Sequence, residues 1–254
     1  MLNIEIISCL NDNYSYLLHE ESSNKIAIID PADFDTCAKI INKKYNKLDY
    51  ILNTHHHLDH VGGNQKLQEK YKSKILGSEL DKDRIPGIDI TLKEKQNFKI
   101  GNTIFEVIFV PGHTSGHIAF FFKDEKVVFS GDTLFSLGCG KVFEGTHKQM
   151  LDSLNKFKNL PSDTKIYCGH EYTKRNLEFC LKYDTNNQLL IKKNNWINSK
   201  IKSKTPTVPV SIGEEKKTNI FLRCNDPSIK KALKLNNASE QEIFSKLRDL
   251  KDSF

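Results

Sequence analysis

The chain of 254 residues carries 38 Lys+Arg against 32 Asp+Glu, a formal charge of +6, with 38% hydrophobic and 28% charged residues. That length buries a full core, as one large domain or two unequal ones, without disulfide or metal staples, and no apolar run approaches the roughly 20 residues of a membrane helix. The lysines are scattered in pairs such as Lys43-Lys44, Lys192-Lys193, Lys216-Lys217 and Lys230-Lys231; this is a solvated surface rather than a nucleic-acid patch, so neither nucleic acid nor membrane is expected as a partner.

Ile4 to Ile7, Tyr14 to Leu18 and Lys25 to Ile29 read as short strands separated by the turn formers Asn11-Asp12-Asn13 and Ser22-Ser23-Asn24, an antiparallel meander. The third ends at Asp30-Pro31, where proline stops the strand and leaves a carboxylate at its edge, either as support for a ligand histidine or as a turn aspartate before a helix. Ala38, Ile41 and Tyr45 recur at helical spacing, and Asp49 to Asn53 returns to a strand.

That strand runs into Thr54-His55-His56-His57-Leu58-Asp59-His60-Val61-Gly62-Gly63. Residues two apart on an extended segment project to the same side, so His55 and His57 can share one ion while His56 points away and is not expected to be a ligand. Asp59 and His60 follow the turn and place a second nitrogen and oxygen set beside the first, and Gly62-Gly63 permits a tight approach to a helix start. A buried cluster of this kind is hard to tolerate unless metal satisfies it.

A second block of strands follows: Phe98 to Ile100, Thr103 to Val110, His117 to Phe122 and Val127 to Ser130. Each of three later strand ends offers a ligand type: His113 in Pro111-Gly112-His113-Thr114, Asp132 in Gly131-Asp132-Thr133, and His170 after the strand Lys165 to Cys168. His19 reads as a surface residue, His147 opens a helix whose buried stripe is Met150, Leu151, Leu154 and Phe157, and His117 enters a strand as a hydrogen-bonded structural histidine. The six cysteines (Cys9, Cys37, Cys139, Cys168, Cys180, Cys224) show no C-x-x-C spacing, and Asn3, Glu5, Asn11 and Asp12 interrupt any signal peptide, so reduced thiols and a cytoplasmic location are expected. Cys139 and Cys168 read as packed thiols.

After Thr173 the pattern turns helical, with stripes at Leu177, Cys180 and Leu181, at Trp196, Ile197 and Ile201, and at Ile243, Leu247 and Leu250. Ser211-x-x-Glu214 and Ser239-x-x-Glu242 are capping boxes, and Thr205-Pro206-Thr207-Val208-Pro209 is an extended connector.

His55-x-His57-x-Asp59-His60 with His113, Asp132 and His170 resembles the metallo-β-lactamase superfamily. Asp12-Asn13-Tyr14, Gly131-Asp132-Thr133-Leu134-Phe135, Gly138-Cys139-Gly140-Lys141, Gly169-His170-Glu171-Tyr172-Thr173 and Phe221-Leu222-Arg223 narrow the resemblance to the hydroxyacylglutathione hydrolase (glyoxalase II) family over nearly the whole chain. The resemblance implies an α+β fold, an αββα sandwich over residues 1–172 that performs the chemistry, followed by a small helical domain over 173–254 that binds glutathione. It implies two divalent ions, with His55, His57 and His113 on one, Asp59, His60 and His170 on the other, and Asp132 bridging. Zinc suits that donor set, and iron or manganese would also fit.

The implied reaction is hydrolysis of S-(2-hydroxyacyl)glutathione, such as S-D-lactoylglutathione, to glutathione and a 2-hydroxy acid, the second step of methylglyoxal detoxification. A hydroxide shared by the two ions would be the nucleophile, with Asp59 and Asp132 as the catalytic carboxylates. Lys141, Tyr172 and Arg223 match positions that contact the tripeptide; Phe143 stands where some members have tyrosine, and Ile220 where proline is usual. A monomer is expected. The alternatives are a persulfide dioxygenase with one iron, sharing the H-x-H-x-D-H motif, and an RNA-processing nuclease of the same fold.

Overall fold

The computed structural model describes residues 1–254, which divide into two compact units: 1–109 with 116–131, and 110–115 with 132–254. The first unit is a helix layer on a pair of sheets. Strands β1 (Leu2–Cys9), β2 (Asn13–Glu20) and β3 (Lys25–Ile29) form the expected antiparallel meander, pairing Ile6 with Tyr16 and Leu17 with Ile28. Helix α1 (Phe34–Lys44), capped by Asp33, carries the chain over to β4 (Tyr50–Leu52), parallel to β3. The short α2 (Leu58–Val61) and then α3 (Asn64–Tyr71) lead to β5 (Lys74–Ser78) and β6 (Ile90–Leu92), again parallel.

One face of this sheet packs Ile7, Leu17, Ile26, Ile28, Ile51 and Ile75 against Cys37, Ala38, Ile41 and Leu67 of the helices. The other face meets a second, antiparallel sheet of β7 (Asn97–Ile100), β8 (Thr103–Phe109), β9 (Ile118–Phe122) and β10 (Val127–Gly131). Aromatic rings fill the space between the sheets: Tyr16 and Phe129 lie 5.2 Å apart, and Phe105 lies 5.2 Å from Phe120. Because β3, β9 and β10 are covered on both faces, they read as continuous apolar runs rather than as alternating ones.

The second unit opens with the two-residue strands β11 (Leu134–Phe135) and β12 (Gly138–Cys139). Helix α4 (His147–Lys158) buries Met150, Leu151, Leu154 and Phe157 as expected, and its Thr146–Gln149 capping box adds a start signal that periodicity alone does not show. Strand β13 (Lys165–Cys168), helices α5 (Thr173–Tyr183) and α6 (Gln188–Lys202), strand β14 (Val210–Ser211) and helices α7 (Ile212–Thr218), α8 (Pro227–Ala232) and α9 (Glu240–Asp252) complete it. Both expected capping boxes form, Ser211 with Glu214 and Ser239 with Glu242. On α6 the expected stripe holds only at Ile197, which is buried together with Leu190, whereas Trp196 and Ile201 are about two-fifths exposed.

Among the features that the sequence reading misses are β5, β6 and a tie between turns. Gly77 interrupts the β signal of β5; a Cβ there would lie 2.5 Å from Ile85 Cδ1, so the end of the Ile85 side chain would have to move. Strand β6 is only three residues long. The third element is a carboxylate that ties two hairpin turns. Buried Glu20 accepts from Ser22 N at 3.2 Å, Ser23 N at 2.9 Å and both hydroxyls, and Asn102 N reaches it at 3.4 Å. Gly101, at φ +61°, makes room for this cluster; its Cβ would meet Glu20 Oε2 at 2.4 Å.

The hydroxyls of Ser22 and then Ser23 stabilise the ionised form and hold the Glu20 carboxyl down to about 2, from an ordinary 4.5. A depressed carboxyl contributes stability that is fully present above its unfolded pKa and is lost as pH falls through the folded one. Glu20→Gln should therefore lower Tm at pH 7, and the gap from wild type should close between pH 4.5 and about 2. A gap independent of pH in thermal melts across that window would show that the charge is not what holds the turns.

Candidate metal centre

In the first unit the donors leave the carboxyl end of β4, where an open sheet presents its ligands. Asn53 fastens both ends of the loop, donating to His60 O at 3.0 Å and exchanging amide hydrogen bonds with Asn64. Gly62 and Gly63 permit the expected close approach. A Cβ on Gly62 would lie 2.6 Å from Ala32 O, and Gly63 N donates to Pro31 O at 2.8 Å.

Asp30, at the end of β3, organises the start and the far side of this loop. Its carboxylate accepts from Thr54 N at 2.8 Å and Thr54 Oγ1 at 2.7 Å, and it takes His60 Nδ1 at 3.0 Å. Asp30, His55 and His60 place candidate ligand atoms within 4.8 Å of one another, but three donors already engage Asp30. Its role is to fix the tautomer of His60 and direct the other ring nitrogen outward. Of the two readings the sequence left open, the structure shows Asp30 in contact with a histidine ring, that of His60. Asp30 adopts φ +49°, a left-handed backbone that Asp tolerates better than most residues.

His55 is fully buried, and its Nε2 lies 3.1 Å from His57 Nδ1, so two imidazole nitrogens converge on one point. His117 is also buried and stacks on the His55 ring at 4.7 Å and 19°, which makes it a wall of the site rather than a member of the donor groups. His60 Nε2 lies 3.7 Å from Asp59 Oδ2, and Asn13 Nδ2 steadies Asp59 through its carboxylate at 3.0 Å and its carbonyl at 3.1 Å. His56 does point away from the donors: Nδ1 lies 3.5 Å from Asp81 and Nε2 lies 3.4 Å from Arg84.

The second unit holds the other donors. His113 Nδ1 contacts Lys141 O at 2.8 Å, and since a carbonyl can only accept, the proton sits on Nδ1 and the lone pair on Nε2. Nε2 of His113 lies 3.5 Å from Asp132 Oδ2, and Nε2 of His170 lies 3.2 Å from the same oxygen. One carboxylate oxygen facing two imidazoles suits a bridge. Tyr172 stacks on the His170 ring at 4.7 Å and 4°, and its neighbour Glu171 anchors the connector through Thr207 N at 2.9 Å and Thr207 Oγ1 at 2.7 Å.

Among the substrate-contact candidates, Lys141 is exposed with its ammonium 5.5 Å from the Phe143 ring, and Phe143 packs edge-on 5.2 Å from the His113 ring. Arg223 is mostly buried and bound by Asp184 and Asp226. It lines a cleft of about 870 Å³ with Lys216, Lys217 and Lys231. Cys168 and Cys139 are inert packing as expected: burial pushes the Cys168 thiol up to about 12 and raises that of Cys139. The sequence reading gave no site role to Asn13, Asn53 or Thr54, because a lone amide or hydroxyl at a strand end carries no pattern.

Comparison with known proteins bears on the same segments. A family model described as "Metallo-beta-lactamase superfamily" matches residues 11–170, and one described as "Hydroxyacylglutathione hydrolase C-terminus" matches residues 171–254. A hydroxyacylglutathione hydrolase of Pelagibacter ubique (strain HTCC1062) is 49% identical over 253 residues, covering 100% of both chains. One of Methylococcus capsulatus is 42% identical over 254 residues, covering 100% of this chain and 99% of its own. Among solved structures, ETHE1 from Myxococcus xanthus superposes with a TM-score of 0.70 at 21% identity, covering 98% of this chain and 91% of its own. The BLEG-1 B3 metallo-beta-lactamase gives 0.66 at 22%, covering 87% and 99%. At such identity these two share the fold.

Asp30→Ala should cost about 2–4 kcal/mol in urea denaturation, because Thr54 loses the acceptor of two buried donors and the left-handed backbone loses its tolerant residue. Asp30→Asn, which keeps the backbone preference, should fold but retain less metal after dialysis, by about 10–100-fold in affinity. An Asp30→Ala protein within about 0.5 kcal/mol of wild type would remove this carboxylate from the support of the loop.

Proposed function

We propose, for a chain that belongs to the hydroxyacylglutathione hydrolase family of the metallo-β-lactamase superfamily, that it hydrolyses S-(2-hydroxyacyl)glutathione thioesters to glutathione and a 2-hydroxy acid. S-D-lactoylglutathione, giving D-lactate, is the substrate expected of such an enzyme, and the reaction is the second step of methylglyoxal detoxification. The observation that carries the reading is the full-length relation: one chain joins the His and Asp donors to the family's own carboxyl-terminal module at 171–254. That module is what separates this reading from the dioxygenase and nuclease alternatives.

The residues fit divalent metal. The donors are imidazole nitrogens and carboxylate oxygens, His60 and His113 each have Nδ1 engaged so that Nε2 is the nitrogen that would ligate, and the pairs of nitrogens and oxygens lie close enough to be bridged. The family resemblance divides the donors into His55, His57 and His113, and Asp59, His60 and His170. We assign one ion to each group, with Asp132 shared and zinc as the metal that best suits the set, ahead of iron or manganese. Ions held there would lower the pKa of water from about 16 toward about 7 and withdraw charge from the thioester carbonyl.

The chain's own residues do the rest. Asp59, steadied by Asn13, accepts a hydrogen bond from the attacking water and turns a lone pair toward the carbonyl carbon. Asp132 sets the facing imidazoles of His113 and His170. The departing thiolate has a parent pKa of about 8.5, so it leaves without a strong side-chain acid. Tyr172 offers a hydroxyl to the tripeptide from a ring fixed on His170, Lys141 offers a cation beside the apolar wall of Phe143, and Arg223 offers a carboxylate the N–H donors that Asp184 and Asp226 leave over. Asp184 and Asp226 hold the Arg223 fork rigid, while Lys216, Lys217 and Lys231 keep its cleft attractive to anions. In this reading residues 1–172 carry the chemistry and 173–254 the substrate. No helix is long and apolar enough to cross a membrane. With six free, buried thiols, we place the protein in a reducing cytoplasm as a monomer without a nucleic-acid partner.

Metal content and lactoylglutathione hydrolysis measured on one preparation test this directly. Chelation should abolish turnover, and zinc should restore it; turnover surviving complete metal removal would sink the proposal. Asp132→Ala should lower kcat/KM by about a thousandfold or more together with metal occupancy. Arg223→Ala should raise KM about tenfold with kcat little changed, and an unchanged KM would strike Arg223 from the substrate contacts.

A further inference from the structure

We propose that Asp81 is a positioning residue for the imidazoles of His55 and His57, acting through His56 and Gly116; the inference rests on the metal-site reading above. Strands β4 and β5 are parallel, so the donor loop after β4 and the short 3-10 turn Glu79–Asp81 after β5 leave the same edge of one sheet. Asp81 is fully buried there. Its backbone is settled locally: Ser78 Oγ accepts from Leu80 N at 3.2 Å, and Asp81 O accepts from Arg84 N and Ile85 N at 2.9 Å each. A buried carboxylate is tolerated only where donors compensate it. Arg84 supplies them on one side, reaching Oδ1 through Nε at 3.1 Å and through Nη2.

The other oxygen, Oδ2, lies 3.5 Å from His56 Nδ1, and across the same ring His56 Nε2 lies 3.4 Å from Arg84 Nη1. A guanidinium can only donate, so Nε2 accepts and the ring proton sits on Nδ1, toward the carboxylate. The Asp81–Arg84 pair thus holds His56 at both nitrogens. Alternate side chains of an extended segment take opposite sides, so fixing His56 on one side commits His55 and His57 to the other. His57 is itself extended, at φ −61° and ψ 144°. On that side His55 Nε2 and His57 Nδ1 meet at 3.1 Å.

Gly116 is the second contact. A Cβ added to it would lie 2.6 Å from the Asp81 carboxyl carbon, so the carboxylate sits directly against the glycine backbone. The next residue, His117, stacks on the His55 ring at 4.7 Å and 19°, and Ile118 N donates to Thr54 O at 2.9 Å. One carboxylate therefore bears on His55 from two directions, along the chain through His56 and from the facing sheet through the His117 ring. Removing its charge takes an acceptor from both Arg84 and His56 and lets the His56 ring turn. Imidazoles that the ion itself must then gather bind it more weakly, because their ordering is charged to binding.

The test compares wild type with Asp81→Asn, His56→Phe, the double variant and, as a control, Asp89→Asn. Asp89 supports the opposite end of β5, accepting from Ile75 N at 2.9 Å and Lys74 Nζ at 3.0 Å. Four quantities are read: Tm, zinc affinity by competition with a chromogenic chelator, the ring-nitrogen resonances of His56 in zinc-loaded protein labelled at histidine, and kcat and KM for lactoylglutathione. Asp81→Asn and His56→Phe should each weaken zinc binding about tenfold and lower kcat with KM within about twofold. Asp81→Asn should also spread the His56 proton over both ring nitrogens, since an amide turns one acceptor into a donor. The double variant should lose less than the product of the two single losses. Asp89→Asn should lower Tm and bind zinc as wild type does.

Wild-type zinc affinity in Asp81→Asn overturns the proposal. So does an equal loss of zinc in Asp89→Asn, which would make the effect one of general stability, and so does a rise in KM alone. Should Asp81→Asn fail to fold, His56→Phe decides, since zinc affinity equal to wild type in that variant also overturns it. A wild-type protein that holds no zinc sinks the metal reading and this inference with it, whereas a wild type that binds zinc beside variants that bind it equally well sinks this inference alone.

Discussion

A buried imidazole can serve as a directed ligand only when its second nitrogen has somewhere to put a proton, and this constraint governs the structure around the donors. His60 solves it with the Asp30 carboxylate and His113 with the Lys141 carbonyl. In each case the acceptor belongs to a segment that would otherwise look like mere connection, the end of β3 in one and a glycine-bounded loop in the other. The same pairing fixes the tautomer and aims Nε2. The hydrogen bonds about Thr54, Asn53 and Asn13 hold the segment that carries His55 to His60.

The scaffold meets that requirement by putting the donors at strand ends. Asp30 ends β3, His55 to His60 follow β4, His113 follows β8, Asp132 follows β10 and His170 follows β13. Of these strands β3 and β10 are buried along almost their whole length and carry mostly Ile, Val, Ala and Phe, whereas β8 and β13 are partly exposed. Chemistry sits where the backbone leaves the sheet. There glycine is used for proximity: Gly62 lies against Ala32 O and Gly140 against Asp132 O, where any side chain would force the backbone apart.

The helical part of the chain also fastens the loop between Leu134 and Lys141. Buried Glu215 accepts from Leu137 N at 2.7 Å, Asn219 Nδ2 at 3.1 Å and Lys193 Nζ at 2.9 Å, and Asn176 donates to Ser136 O at 3.0 Å. The loop between Leu134 and Lys141 is thus built by residues that come 40 to 109 positions later in sequence, Asn176, Asn219 and Arg248 among them. These residues of the carboxyl-terminal region thus shape the segment whose Lys141 carbonyl accepts from His113 Nδ1.

The sequence alone determined the kinds of chemistry present. The spacing of His55, His57, Asp59 and His60, the strands that precede His113, Asp132 and His170, the exclusion of His56 and the capping boxes of α7 and α9 are all local, set by a repeat of two or by one helical turn. Local rules fell short where distance in sequence is large or the signal is one residue deep. They missed the glycine-broken strand β5, put Trp196 and Ile201 in a stripe that Leu190 and Ile197 occupy, and gave no hint that Glu20 ties two turns 80 residues apart. Nor could they say which carboxylate or carbonyl each imidazole would find. That choice belongs to tertiary structure, because a hydrogen-bond acceptor carries no periodicity and is identified only by what the fold places within about 3 Å of it.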